Sequence, residues 1–140
     1  MAEERRTTWG KAEKLKSRKR IDRVFREGKS FSMFPYKVVY LVAPAGAPAP
    51  AAPTGKDFAP LQAGFGASSR NFKKAVDRNR IKRLSREAYR LQKAPLLEQL
   101  TQKGLSMAVF FVFIGRELPD YPMVSTRIGV ALQKLLKETA

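Results

Sequence analysis

Hydrophobic positions along this 140-residue chain change period repeatedly, and each change marks an element. Ile21, Val24 and Phe25 fall at helical spacing between Ser17, a capping residue type, and Gly28. Gly28 can close a helix in the left-handed conformation, so residues 17–27 read as a short amphipathic helix. Lys19, Arg20, Arg23 and Arg26 cover its other sides. Residues 36–42 are β-branched and aromatic and read as a strand. Tyr36, Val38, Tyr40 and Val42 share one face, and Lys37, Val39 and Leu41 share the other. The Lys37 face is the better candidate for solvent or ligand. Residues 61–67 read as a second strand, with Gly64 and Gly66 allowing a close approach or a bulge. Ser68, Ser69 and Asn71 supply cap and turn chemistry before a long helix over 72–93. Pro95 and Gly104 bracket a short helix over 96–103. The unbroken apolar run at 107–114 reads as a strand buried on both faces. Pro119 and Pro122 predict a loop, after which Ser125 caps a last helix with Ile128, Leu132, Leu135 and Leu136 as its stripe.

The long helix organises the rest. At about 100° per residue from Ala75, Ile81, Leu84, Ala88 and Leu91 fall between roughly 160° and 240°, and Tyr89 near 320°. Asn79, Lys82, Arg83, Arg86 and Arg90 fall between roughly 340° and 80°, with Arg78 and Arg80 flanking them. One face is an apolar seam for a core, and the other is a cationic stripe diluted only by Asp77 and Glu87. Helices and strands in this order predict a single α+β layer domain over residues 14–138. Residues 1–13 read as a flexible basic arm carrying Trp9, and the Pro- and Ala-rich stretch 43–60 as a mobile loop.

Charge then names the partner's chemistry. Lys and Arg number 28 against 12 Asp and Glu, a formal net charge of +16. That excess implies a polyanion, because neutralising phosphates releases condensed counterions. Nucleic acid comes first and an anionic membrane surface second. No run approaches the ~18 apolar residues of a spanning helix, and the start Met1-Ala2-Glu3-Glu4-Arg5-Arg6 is no signal peptide. A cytoplasmic location follows as the expectation.

Catalysis by the protein itself has little to stand on. There is no Cys and no His, which removes the usual zinc ligands and the commonest general base. A metal-dependent nuclease needs clustered carboxylates. Here Asp22, Asp57, Asp77, Glu87, Glu98, Glu117 and Asp120 are scattered over different elements, and no glycine-rich phosphate loop is present. Arginine forks suit phosphates, and Asn79 can pair with a base edge or a 2′-hydroxyl. A merely solvated or generic polyanion-binding helix remains the bland alternative at this point.

The run Ala75-Val76-Asp77-Arg78-Asn79-Arg80-Ile81-Lys82-Arg83-Leu84-Ser85-Arg86-Glu87-Ala88-Tyr89-Arg90 resembles the signature of the protein subunit of bacterial ribonuclease P. Leu15, Ile21, Val24, Phe25, Gly28 and Lys29 agree with that family's opening segment, and the resemblance covers roughly 14–138. Two departures stand out. Residues 68–76 carry one extra residue and no glycine where the family has Ser-Lys-Lys-x-Gly-x-Ala-Val, and Ile21 replaces a common Phe.

The resemblance implies a small sandwich of a mixed sheet packed against helices in the order α-β-β-β-α-β-α. It also implies a left-handed β-α-β crossover, against the general right-handed rule. It implies a protein without catalytic residues that assists magnesium-dependent, RNA-catalysed removal of the 5′ leader from precursor tRNA. The Mg2+ is then held mainly by the catalytic RNA subunit, and no protein partner is required. Carried over by position, Arg78, Asn79, Arg80, Lys82, Arg83, Arg86 and Arg90 would bind the RNA subunit. Ile21, Phe25, Lys37 and Val39 would bind the precursor-tRNA leader. The alternative is a ribosomal or other structural RNA-binding protein with no associated reaction, and a protein-only nuclease ranks last.

Overall fold

The computed structural model describes residues 14–15, 18–44 and 60–139. The basic arm, Trp9, Ser17 and most of the Pro- and Ala-rich loop lie outside them. The elements are α1 (Arg18–Glu27), β1 (Lys29–Met33), β2 (Tyr36–Pro44), β3 (Leu61–Ala67), α2 (Ala75–Gln92), α3 (Ala94–Lys103), β4 (Leu105–Phe113) and α4 (Tyr121–Glu138).

The strands form one sheet in the order β1-β2-β4-β3. β1 pairs antiparallel with β2, β2 antiparallel with β4, and β3 parallel with β4. A parallel neighbour needs a crossover, and α2 with α3 supply it. The alternation of each strand sorts two cores onto the two faces. Tyr36, Val38 and Tyr40 of β2, Leu61 and Ala63 of β3, and Met107, Val109, Phe111 and Phe113 of β4 join residues of α2, α3 and α4 in the larger one. Val39, Ala108, Val24 and Leu15 form the smaller one, beneath α1. The molecule is thus α1, sheet, and a layer of three helices.

Val24 is the fully buried anchor of α1, and burying such a side chain contributes roughly 1.5–3 kcal/mol. Gly28 ends α1, but not in the left-handed conformation expected of it: Gly104 is the glycine with positive φ among the described residues. Space selects the glycine instead. A Cβ at Gly28 would run into the carbonyl oxygens of Tyr40 and Val24. At Gly104, φ is 66° and its N–H bonds back to Thr101, closing α3 as its position after the periodic residues predicts.

Four expectations need correction. The long helix begins at Ala75, not near Phe72, and its N-cap Lys74 makes no side-chain cap bond. Asn71 instead donates from Nδ2 to the carbonyls of Ile114 and Gly115, tying the entry of α2 to the end of β4. The seam of α2 is rotated: Ile81, Ser85, Ala88 and Tyr89 are buried, while Leu91 is 51% exposed. Ser85 is tolerated in the core because Tyr36 Oη lies 2.5 Å from its Oγ, and Ser85 also donates to the Ile81 carbonyl at 2.8 Å. The last helix begins at Tyr121 with Asp120 as its cap, accepting from Met123 N at 3.1 Å. Pro122 therefore sits in a first helical turn, where its missing N–H costs nothing, rather than in a loop. Finally, β4 is buried on both faces only in part, since Phe110 and Val112 are half-exposed.

Burial pushes the Tyr36 phenol up to about 12, and the Ser85 hydrogen bond opposes that only partly. A raised folded-state pKa means stability present in full below the unfolded value near 10 and lost as pH rises towards the folded one. Unfolding free energy is expected to fall by roughly 2–3 kcal/mol between pH 10 and 12 from this group. Urea melts across that window check it, with Tyr36→Phe as the variant in which the drop shrinks.

Candidate nucleic-acid interface

On α2 the predicted cationic residues separate into two groups. Asn79, Arg80, Arg83 and Arg86 are exposed and Lys82 is half-exposed. Arg78 and Arg90 are engaged within the protein. Arg78 lies on the core side of the stripe, and its Nη1 donates to the carbonyls of Phe72 and Lys73 at 2.8 and 2.9 Å. It thereby holds the chain entering α2, which has no capping side chain. Arg90 forks onto Glu87, Nη2 to Oε2 at 2.6 Å and Nε to Oε1 at 3.2 Å. The hydrogen bond from Arg90 is the main cause holding the Glu87 carboxyl below its ordinary range, and Glu87 in turn raises the Arg90 guanidinium. The most exposed side chains of this stripe are therefore Asn79, Arg80, Arg83 and Arg86, with Lys82 half-exposed, and Arg86 also adds to the field that lowers the Glu87 carboxyl.

Lys82 and Arg86 do more than face solvent. They form one wall of a groove of about 370 Å³ whose other lining includes Leu15, Ile21, Gly64 and Phe110. The floor is built by a size match between strands. Gly64 and Gly66 of β3 pair with Phe110 and Val112 of β4, and the Phe110 ring lies over the two glycines. A Cβ at Gly64 would come within 2.7 Å of that ring, and one at Gly66 within 3.0 Å. The close approach expected of these glycines is therefore observed, and the approaching group is an aromatic ring. Phe25 of α1 meets Phe110 edge-on, with centroids 5.4 Å apart and planes at 62°. Lys14 forms a parallel bridge to Ala63, and Leu15 N donates to the Ala63 carbonyl at 2.9 Å, closing the groove along β3.

The predicted leader-binding residues fall unevenly around this groove. Ile21 lines it, half-buried. Phe25 stands beside it with 46% of its surface exposed. Lys37 is exposed on the same sheet face, two residues beyond the Val39–Phe110 pair, opposite Val112. Val39 is the correction: it is 3% exposed, packed with Leu15, Val24 and Ala108. α1 covers the sheet there, so Val39 packs beside Phe110 under the helix and is not open to a ligand. Phe110 is the residue that the sequence reading missed. Its signal was the small residues at Gly64 and Gly66, which leave room for a ring on the neighbouring strand.

The result is a strip of guanidinium and ammonium groups beside an apolar floor with two aromatic rings. Cations neutralise a phosphate backbone while aromatic faces stack bases. Among the described residues no three carboxylates come together in a way that could hold a metal ion, and no helix is long and apolar enough to cross a membrane.

Known proteins share both the sequence and the shape. Residues 10–136 match the family described as Ribonuclease P. The Ribonuclease P protein component of Porphyromonas gingivalis strain ATCC 33277 is 35% identical over 128 residues, covering 90% of this chain and 82% of that protein. The Staphylococcus aureus RNase P protein superposes with a TM-score of 0.52 at 21% identity, covering 91% of this chain and 94% of that one. A second structure of the S. aureus protein gives a TM-score of 0.51 at 20% identity, covering 93% and 91%. The signature helix thus sits in a chain whose relatives match it nearly end to end, and this chain belongs to the ribonuclease P protein family.

Proposed function

We propose that this chain binds the catalytic RNA subunit through the exposed face of α2 and holds the 5′ leader of precursor tRNA in the groove between α2 and α1. The RNA then performs the magnesium-dependent endonucleolytic removal of the leader. The observation that carries this reading is the meeting of Lys82 and Arg86 with Ile21 and Phe110 in one groove, beside Phe25. A single strand fits such a surface, because its phosphates can follow the cations while an unpaired base rests on the rings. Asn79, Arg80 and Arg83, exposed on α2 and outside the groove's lining, remain for the RNA subunit.

The described side chains do not suit a magnesium site of their own. Mg2+ takes hard oxygen ligands, usually carboxylates, and the described carboxylates do not cluster. The reading therefore gives the ions to the RNA and assigns the protein no chemical step. Its contribution is positioning, together with relief of phosphate repulsion between two RNA molecules.

Reconstitution tests it. Protein, cognate catalytic RNA and precursor tRNA are combined at low magnesium, with each component omitted in turn. Stimulated cleavage only with all three present is expected. Cutting by protein alone, or no stimulation of the RNA at any salt concentration, overturns the reading. In the same assay Phe25→Ala is expected to reduce the preference for precursor over mature tRNA by roughly tenfold, the order of one lost base stack. Its thermal midpoint should move by only a few degrees, because an edge-on ring pair is worth about 0.5–1.5 kcal/mol.

A further inference from the structure

The hairpin between β1 and β2 carries an aromatic ring that the groove does not use. Phe34 is 68% exposed, and among the described residues it makes no ring contact. It stands at the rim of a depression of about 490 Å³, with Leu118 and the arginines Arg116 and Arg127 also at its edge. Leu118 is 48% exposed. Both arginines are exposed, and among the described residues neither forms an ion pair. Glu117 is the one acidic residue of the lining. An exposed apolar surface of this kind marks a contact, and its cationic rim favours an anionic partner over an ordinary protein surface.

Position says which anion. Phe113 lies at the base of the depression and also packs against Phe72, with centroids 6.0 Å apart. Phe72 immediately precedes Lys73 and Lys74, which are exposed at the entry of α2. Asn71 ties that entry to Ile114 and Gly115, also in the lining. The depression is therefore continuous with the start of the basic helix. It lies on the Phe113 side of the sheet, whereas the groove of Phe110 lies on the α1 side.

We infer that the Phe34 shelf is a second contact for the catalytic RNA subunit, which stacks an unpaired nucleotide on the Phe34 ring while Arg116 and Arg127 hold the flanking phosphates. The inference rests on the proposed docking of that RNA on α2 and extends the docking surface around the end of the sheet. A base stack tolerates any aromatic ring but not its removal.

The test measures affinity of the full chain for the catalytic RNA subunit, and separately of the reconstituted complex for precursor tRNA. Phe34→Ala is expected to weaken binding of the RNA subunit about tenfold, while Phe34→Trp retains wild-type affinity. Arg127→Ala should lower the salt slope by about one. Arg83→Ala serves as the reference for the α2 surface. Loss with Arg83→Ala but wild-type affinity with Phe34→Ala overturns the shelf and leaves the docking on α2 intact. Loss confined to precursor tRNA also overturns it, because the shelf would then serve the substrate. So does a self-association of the wild-type chain in sedimentation that Phe34→Ala abolishes without changing RNA affinity. Phe34 is exposed, so thermal midpoints of all variants are expected to match the wild type.

Discussion

Replacing Arg80 and Arg83 together by glutamate is expected to lower affinity for the catalytic RNA by roughly a hundredfold or more at physiological salt. Each side chain is placed to give a charge-assisted hydrogen bond to phosphate, worth about 1.5–3 kcal/mol, and ~1.4 kcal/mol is tenfold. Removing two phosphate contacts should also reduce the slope of log affinity against log salt by about two. Both residues stand on the solvent side of α2, away from the buried Ile81, Ser85, Ala88 and Tyr89, so the fold should survive. The informative control is an equal charge reversal elsewhere. Lys103 ends α3 and Lys137 lies in the last turn of α4, both exposed. If Lys103→Glu with Lys137→Glu costs as much affinity as the α2 pair, binding follows net charge and α2 has no special place. Filter binding over a range of salt concentrations reads both variants.

The second large effect is on folding. Gly28→Ala is expected to destabilise the protein by about 3 kcal/mol or more, in the range of severe overpacking. The added Cβ would meet two backbone carbonyl oxygens, of Tyr40 and of Val24, and neither can rotate away as a side chain could. Relief from the Tyr40 oxygen requires α1 to lift from β2, which separates Val24 from Val39 and Ala108, and relief from the Val24 oxygen requires the last turn of α1 to open. A fall of roughly 10 °C in the thermal midpoint follows for a domain of this size. Gly64→Ala makes a useful contrast. Its Cβ would meet chiefly the Phe110 ring, at 2.7 Å, with the Leu15 carbonyl oxygen at a milder 3.2 Å, and that ring is half-exposed and can swing outward. That variant should keep more of its stability and lose the floor of the groove. Calorimetry of the two variants side by side checks the difference.

Much of this architecture was legible in the sequence because periodicity and punctuation agree. Gly104 after the last helical residue, the alternation of β2 and the existence of one apolar and one cationic face on α2 were read correctly for that reason. The failures have physical causes. β1, Lys-Ser-Phe-Ser-Met, is an edge strand too polar and short to announce itself, and it is held by pairing with β2. Leu91 and Tyr89 exchanged places because a wheel gives angles but not the direction of the core, which the crossover sets. Pro122 looked like a breaker because its meaning reverses in a first turn.

The site was legible as chemistry before it was legible as geometry. A basic stripe and an aromatic on a short helix were both visible, but their meeting in one groove depends on the parallel pairing of β3 with β4. Arg78 and Arg90 belong to the signature by type, yet the fold turns one onto the Phe72 and Lys73 carbonyls and the other onto Glu87. Val39 alternates onto the predicted ligand face, and only the placement of α1 reveals that it is covered.

The sequence contains no cysteine, so a single introduced thiol can carry a cleavage or cross-linking reagent to one known position. Arg83→Cys and Phe25→Cys place it on the exposed face of α2 and beside the groove. In the reconstituted complex with precursor tRNA, the reagent at position 83 is predicted to mark the catalytic RNA, and the reagent at position 25 the 5′ leader. Marks from position 83 confined to the leader, or marks from position 25 confined to the catalytic RNA, would contradict the division of labour between helix and groove.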